Sequence, residues 1–249
     1  MTLHEIRLGP LTALASHWPL RINLPTLILL HGAGFSAGFW QKQYALQNRM
    51  NLICLNLPGR QGGQNYPAHL ADYLQAIAAA LQEIPTYFVL GHSLGGGLAL
   101  GLSLMHPEQV QGLIMVNSGA RLKVAPAVLS MFQGRNDNPL SQMLRAGADM
   151  APQDVQLMGA QVASVPNALA DFNVCNEIDF MPRLNELNLP VLVVGSDNDP
   201  LTPAKYSQYL AEQLADVRLL LVEGAGHLLP WTRPEPLNLA ITEFIFPPV

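Results

Sequence analysis

Short runs of apolar residues alternate along this chain with stretches of helix length, and the alternation predicts an architecture before any single residue is considered. The runs TLILLHG (26–32), LICLNLP (52–58), YFVLGHS (87–93), GLIMVNS (112–118), PVLVVGS (190–196) and VRLLLVE (217–223) are rich in Leu, Ile and Val. A strand covered on one face alternates apolar with polar residues. Runs as continuous as these belong to strands covered on both faces, as in a parallel sheet between helical layers. Between them lie AHLADYLQAIAAALQE (68–83), LGGGLALGLSLMH (94–106), PAKYSQYLAEQLA (203–215) and PEPLNLAITEFI (234–245), each expected to be a helix. Thr202 followed by Pro203 marks a helix start, a hydroxyl cap and then a residue preset for the first turn. LTALASHW (11–18) adds an expected antiparallel edge strand. The predicted class is α/β, a mostly parallel, doubly wound sheet.

The alternation stops between residues 121 and 187. That stretch carries Met131, Met143, Met150, Met158 and Met181, several prolines and no strand-like run. Its length and Met content predict a pliable helical cap over the carboxyl edge of the sheet, where open α/β folds bind ligands. The expected division is a core of residues 1–120 and 188–249 and a cap of residues 121–187.

Composition narrows compartment and partners. Of 249 residues, 49% are apolar and 12% charged, with a net charge of −5. A chain of this length fills the core of one large domain. No basic face is available for phosphate backbones, so nucleic acid is not an expected partner. No apolar run reaches the roughly 18–20 residues that cross a bilayer, so no membrane insertion is expected. MTLHEIRLGP has no basic segment leading into an apolar one, so no secretory signal is expected either. Cys54 and Cys175 give neither metal spacing nor a disulfide framework; reduced thiols and a cytoplasmic location are the expectation.

The strongest chemical feature is GHSLG (91–95), a G-x-S-x-G between a strand and a helix. Glycines at both ends fit a tight turn in which flanking side chains would collide with the neighbouring strand and helix. The turn lifts the Ser93 hydroxyl above the sheet edge, at the amino end of a helix whose first N–H groups are unpaired. A serine hydroxyl needs a base within hydrogen-bond reach. Of seven histidines, His92 lies inside the turn and is expected to point away from the serine by strand alternation. His31 ends a central strand and reads as structural, and His4, His17, His69 and His106 fall away from the sheet's carboxyl edge. His227 follows VEGAG, where the last strand opens into a Gly-rich loop. It is the expected base, because the order Ser, Asp, His is the one this architecture requires.

The acid lies in GSDNDPLTP (195–203). Asp197 and Asp199 are two apart, so periodicity does not separate them. Pro200 holds the residue before it extended, which favours Asp199; Asp197 then solvates the turn or supports the acid. An oxyanion needs two preorganised donors. The backbone N–H of Leu94 is one, and that of Ala33, in HGAGFSAGFW after the first central strand, is the other.

HGAG, NLPGRQGG, GHSLGG, NDPLTP and GAGH, in this order, resemble the α/β-hydrolase superfamily, in particular its compact, capped, esterase-like members. The likeness runs from about residue 26 to the end. Asn56 and Gly63 stand where the family often has an acid and a serine, departures that concern loop structure. The resemblance also favours Asp199, since members usually keep an Asp four residues before the helix-opening proline, here Pro203.

The expected mechanism is acyl transfer through Ser93, with His227 as base, Asp199 orienting it, and Ala33 and Leu94 holding the oxyanion. No metal or organic cofactor is implied. Phe35, Phe39 and Trp40 are candidates for lining an acyl pocket or for packing helix on sheet. Arg121 and Lys123 are candidates for a substrate carboxylate or for surface ion pairs, and Asp171, Asp179 and Arg183 for pinning the cap. The Met-rich cap predicts a small to medium apolar ester as small-molecule substrate. The same constellation also serves thioesterases, acyl-carrier methyl-ester esterases and carbon–carbon bond hydrolases or lyases, and a hydrolase-fold receptor with little turnover stands as the non-enzyme reading. Oligomeric state is left open.

Overall fold

The computed structural model describes residues 3–60, 69–135, 138–140 and 150–247. Gly63 and Met143 lie outside them. Eight strands form one sheet: β1 (His4–Leu8), β2 (Leu11–Ala15), β3 (Thr26–Leu30), β4 (Asn51–Leu55), β5 (Tyr87–His92), β6 (Val110–Val116), β7 (Val191–Ser196) and β8 (Val217–Val222). Their order is β1-β2-β4-β3-β5-β6-β7-β8. β1 with β2 and β2 with β4 run antiparallel, and every other pair is parallel. All six apolar runs are strands; LTALA is antiparallel as expected but is not the edge strand, because β1 pairs along its outer side. β1 was not foreseen: only Leu8 of its five residues is buried, so it shows no apolar run and exists by pairing with β2.

Side-chain alternation divides the core in two. Ile28 and Leu30 of β3 face one side with Ile53, Val89, Leu113 and Val193, where α1 (Leu70–Leu81), α2 (Leu94–Met105) and α6 (Ala204–Gln213) pack. Leu27 and Leu29 face the other with Leu52, Ile114 and Val194. That side is covered by α7 (Leu229–Thr232), through Leu229 and Trp231, by α8 (Pro234–Ile245), through Leu237, Ile241 and Ile245, and by a 3-10 segment, Ala37–Asn48. Truncating such a fully buried Leu or Ile to Ala removes about 2–5 kcal/mol of stability. The 3-10 segment has no helical stripe to read in sequence, because residues 37–40 are buried consecutively.

Among the described residues, four further helical pieces fall in or beside the Met-bearing stretch: α3 (Pro126–Ser130), α4 (Pro152–Gly159), α5 (Val165–Glu177) and a 3-10 turn, Met181–Glu186. Each has a proline in its first turn, where the missing N–H costs no hydrogen bond. Leu122 N–H donates to the Ile178 carbonyl (3.2 Å) and Phe180 N–H to the Ala120 carbonyl (2.8 Å), so the excursion's two ends are paired. Phe132, Val165 and Ala168 form a small separate core, whereas Val174, Cys175 and Ile178 join the main one.

The topology locates a crevice. β3 and β5 are neighbours, but the chain passes from β3 to β4 on one side and from β5 to β6 on the other. Loops leaving adjacent strands in opposite directions open a cleft at their carboxyl ends. Residues 31–36 and Ser93–Leu94 flank it.

Candidate active site

Ser93 stands between β5 and α2 with φ 54° and ψ −119°, a backbone conformation that L-residues rarely adopt. Such strain costs about 1–3 kcal/mol and persists only where surroundings enforce it. Here Ser93 N–H donates to the Val116 carbonyl (3.0 Å), and its carbonyl accepts from Gly96 N–H (3.0 Å) and the Ser118 hydroxyl (2.7 Å). The glycines behave as their spacing predicts. A Cβ on Gly91 would overlap the backbone of Gly95 and Gly96, and one on Gly95 would overlap that of Leu30 and His31. The Ser93 side chain makes no capping hydrogen bond to α2 and the residue is partly exposed, so its hydroxyl is available.

The structure separates the two aspartates. Asp199 is 4% exposed, and its Oδ2 accepts from His227 Nδ1–H (2.8 Å) and the Thr202 hydroxyl (2.6 Å). Its Oδ1 accepts from the N–H groups of Leu201 (2.8 Å) and Thr202 (2.9 Å). Burial raises the Asp199 pKa, but the His227 and Thr202 hydrogen bonds and the His227 charge outweigh it and leave the carboxyl below its ordinary value. Asp197 is exposed, with its N–H directed at the Val222 carbonyl. Because an ionised carboxylate only accepts, His227 carries its proton on Nδ1 and keeps Nε2 as a base.

His92 is closer to this chemistry than alternation suggested. Its ring occupies the face of the sheet with Phe39 (ring centroids 4.9 Å, stacked) and Trp40, yet it lies 4.8 Å from the His227 ring. Its Nε2–H donates to the His227 carbonyl (2.8 Å). Burial, and then the nearby His227, push its pKa down to about 3, so it is neutral. Asn117, at φ 44°, gives its amide to the carbonyls of Gly226 (2.9 Å) and His227 (3.0 Å), and its own oxygen accepts from the Ser196 hydroxyl (3.0 Å). Asn117 and Ser118 were not singled out in the sequence, and Thr202, expected to cap the helix that follows, caps nothing: that helix starts at Ala204 after Pro203, and the Thr202 hydroxyl is spent on Asp199. The available signal was polar side chains ending buried strands at the sheet's carboxyl edge. His31 is structural in geometry: fully buried, it accepts from Leu57 N–H and donates to the Gly32 carbonyl, tying the ends of β3 and β4.

Across the cleft, the N–H groups of Ala33 and Leu94 donate to no acceptor among the described residues, although both residues are buried. Buried backbone donors are nearly always paired, so two without a partner among the described residues, one of them on the residue after Ser93, are unusual. The remaining candidates are not brought into this cluster. Trp40 is completely buried and Phe35 5% exposed, both packed on Phe39. Arg121 is half-exposed, 3.6 Å from Asp179, and no hydrogen bond or ion pair among the described residues links it to Ser93 or His227. Lys123 donates to the Asn176 carbonyl and Arg183 pairs with Glu186. Among the described residues no group of three or more His, Cys, Asp or Glu side chains is placed to hold a metal ion, and no helix is long and apolar enough to cross a membrane.

Residues 27–240 match the model of the Alpha/beta hydrolase family. A pimeloyl-[acyl-carrier protein] methyl ester esterase of Edwardsiella ictaluri is 32% identical over 240 residues, covering 88% of this chain and 92% of its own. A putative carbamate hydrolase, RutD, of Agrobacterium fabrum is 28% identical, covering 90% of this chain and 94% of its own. Among solved structures, the enol-lactonase from Burkholderia xenovorans LB400 superposes with a TM-score of 0.82 over 97% of this chain and 99% of its own. At 16% identity that likeness speaks for the fold.

Proposed function

The chain belongs to the alpha/beta hydrolase family and is a hydrolase acting on ester bonds, and from that premise we propose that it is a serine carboxylesterase working through an acyl-enzyme on Ser93. The observation that carries this reading is the 2.8 Å Asp199–His227 hydrogen bond, taken together with a serine held at positive φ in the turn after β5. With Nδ1–H committed to Asp199, His227 offers Nε2 to the Ser93 hydroxyl. Ser93 Oγ attacks the ester carbonyl carbon, and its proton passes to the imidazole. The carbonyl oxygen, now an anion, is taken by the N–H groups of Ala33 and Leu94. Buried donors fixed in advance stabilise this charge without reorganising. The imidazolium returns its proton to the departing alcohol, and water repeats the sequence to release the acid.

In this reading residues 121–187 cap the cleft, rooted through the pairing of residues 120–122 with 178–180. The substrate is a small to medium apolar acyl ester of a small alcohol. That choice is supported by relatives named for methyl ester cleavage and by the Met-rich stretch. Phe35 and Trp40 serve as the floor beneath the oxyanion loop, since solvent scarcely reaches either. Arg121 serves as a surface ion-pair partner. The two cysteines, both free and buried, suit a reducing cytoplasm.

Purified protein is given short-chain and long-chain p-nitrophenyl esters and free acyl methyl esters, with Ser93→Ala alongside. Steady turnover that disappears in the variant is the expected result. A single burst without turnover replaces this reading with a ligand receptor, and no reaction with any ester replaces it with carbon–carbon bond chemistry.

A further inference from the structure

The loop bearing Ala33 is held by groups remote in sequence. Gly32–Phe35 forms a turn, closed by Phe35 N–H on the Gly32 carbonyl (3.3 Å), with Gly34 at φ 77°. The Gly34 N–H donates to Asp171 Oδ2 (2.8 Å), the Gly34 carbonyl accepts from Ala163 N–H (2.8 Å), and the Phe35 carbonyl accepts from Arg60 Nε (2.9 Å). Further along, Ala37 N–H donates to Asn56 Oδ1 (2.8 Å). Each of these groups has a partner; the Ala33 N–H has none among the described residues.

The centre of this arrangement is Asp171 on α5, which is completely buried. Besides Gly34 it takes the Arg60 guanidinium in a two-pronged ion pair and the Tyr73 hydroxyl (2.7 Å). The Arg60 side chain is itself only 4% exposed. A bidentate, charge-assisted pair is geometrically restrictive, and a buried one has little freedom to re-form elsewhere. The peptide between Ala33 and Gly34 is thus fixed by a carboxylate donated from the 121–187 stretch. The Ala33 N–H lies on the adjoining Gly32–Ala33 peptide, so holding the Gly34 N–H on Asp171 and closing the turn through Phe35 restrains Ala33 and, through it, the direction of that N–H.

We propose that Asp171, anchored by Arg60, is a positioning residue for the oxyanion site, coupling helix α5 to the orientation of the Ala33 N–H. The inference rests on the acyl-enzyme reading and deepens it. Asp171 touches no reacting atom, so its removal weakens transition-state binding and leaves substrate binding nearly untouched.

The test measures kcat and KM with a p-nitrophenyl ester, together with the affinity of an alkylboronic acid, whose tetrahedral adduct on Ser93 places an oxygen at the oxyanion donors. Asp171→Ala is expected to lower kcat by about 10²-fold, the lower end for deleting an oxyanion donor. Asp171→Asn, which keeps an acceptor for Gly34, loses about tenfold. KM stays within about twofold, and boronate affinity falls in step with kcat. Asp154→Asn, which breaks the Lys42–Asp154 tie (2.7 Å) between α4 and the 37–48 segment, leaves kcat unchanged. If Asp171→Ala does not fold, Asp171→Asn combined with Arg60→Met strands no buried charge and is expected to lose about tenfold in kcat. Folded Asp171 variants with wild-type kcat, or a boronate affinity that fails to follow kcat, overturn the positioning role. So does an equal loss in Asp154→Asn. Turnover persisting in Ser93→Ala overturns the underlying catalytic reading as well, whereas a dead Ser93→Ala beside fully active Asp171 variants overturns this inference alone.

Discussion

Asp199 and Asp171 are both buried carboxylates saturated with donors, one in the loop after β7 and one on α5. Asp199 draws three of its four donors from two residues just after it, Leu201 and Thr202, and needs the tertiary fold only for His227. Asp171 has no local donor: Gly34, Arg60 and Tyr73 come from three separate segments, 137, 111 and 98 residues away in the chain. The first is a turn whose carboxylate is met by donors that follow within three residues of chain. The second is a junction that exists only when the 121–187 stretch has docked. The molecule therefore combines a carboxylate held mostly by its own turn with one held wholly by distant segments.

The sharpest break in that comparison is kinetic. Asp199→Asn is expected to lower kcat about 10⁴-fold, as an orienting acid does in other triads, and Asp197→Asn to stay within about twofold. A large loss at Asp197 in steady-state assays would reassign the acid. Stability inverts the ranking. Asp171→Ala strands a buried guanidinium and is expected to cost about 3–5 kcal/mol. Asp199→Ala leaves two backbone N–H groups and a hydroxyl unmet and costs about 1–3 kcal/mol. Urea unfolding midpoints decide between them, and equal losses would mean that the two carboxylates are held alike.

Acid separates the region further. The neutral, buried His92 has a folded pKa near 3 against about 6.5 in an unfolded chain. The unfolded state therefore binds the extra proton as pH falls below about 6.5, and stability declines down to about pH 3, by at most about 1.4 kcal/mol per unit from this group. His31, lowered mainly by burial and then by Arg60, adds in the same sense. The depressed Asp199 carboxyl contributes stability above its unfolded value of about 3.9, lost only as pH falls through its folded value. Melting temperature against pH should thus fall from about pH 6.5, and His92→Gln should flatten the curve; an unchanged slope would contradict a neutral His92. The smallest effect belongs to Arg121→Ala. The Arg121–Asp179 pair is half-exposed, worth about 0–1 kcal/mol, and the variant's KM should match wild type.

Legibility in the sequence follows the same divide. GHSLG was readable because strand, turn and helix are contiguous, and the collisions that require its glycines involve the turn and an adjacent strand. The six core strands were readable because burial on both faces leaves an unbroken apolar run. β1 was not, since its identity comes from pairing with β2 and not from its own mostly exposed residues. Nor could strand alternation reveal that His92, directed away from the serine, meets His227 from behind. Period-two patterning is blind to what another loop brings across the sheet.

By itself the chain's sequence determined a parallel sheet, a serine turn at its carboxyl edge, and a base and acid following in order, because each is written in residues that are neighbours or share one repeating period. Pro200 already favoured Asp199 over Asp197, but tertiary structure alone brought His227 to Asp199, seated His92 and Asn117 on the His227 carbonyl, and fastened the Gly32–Phe35 loop to Asp171. These depend on distances between segments far apart in the chain, and such distances come into being only when the layers pack.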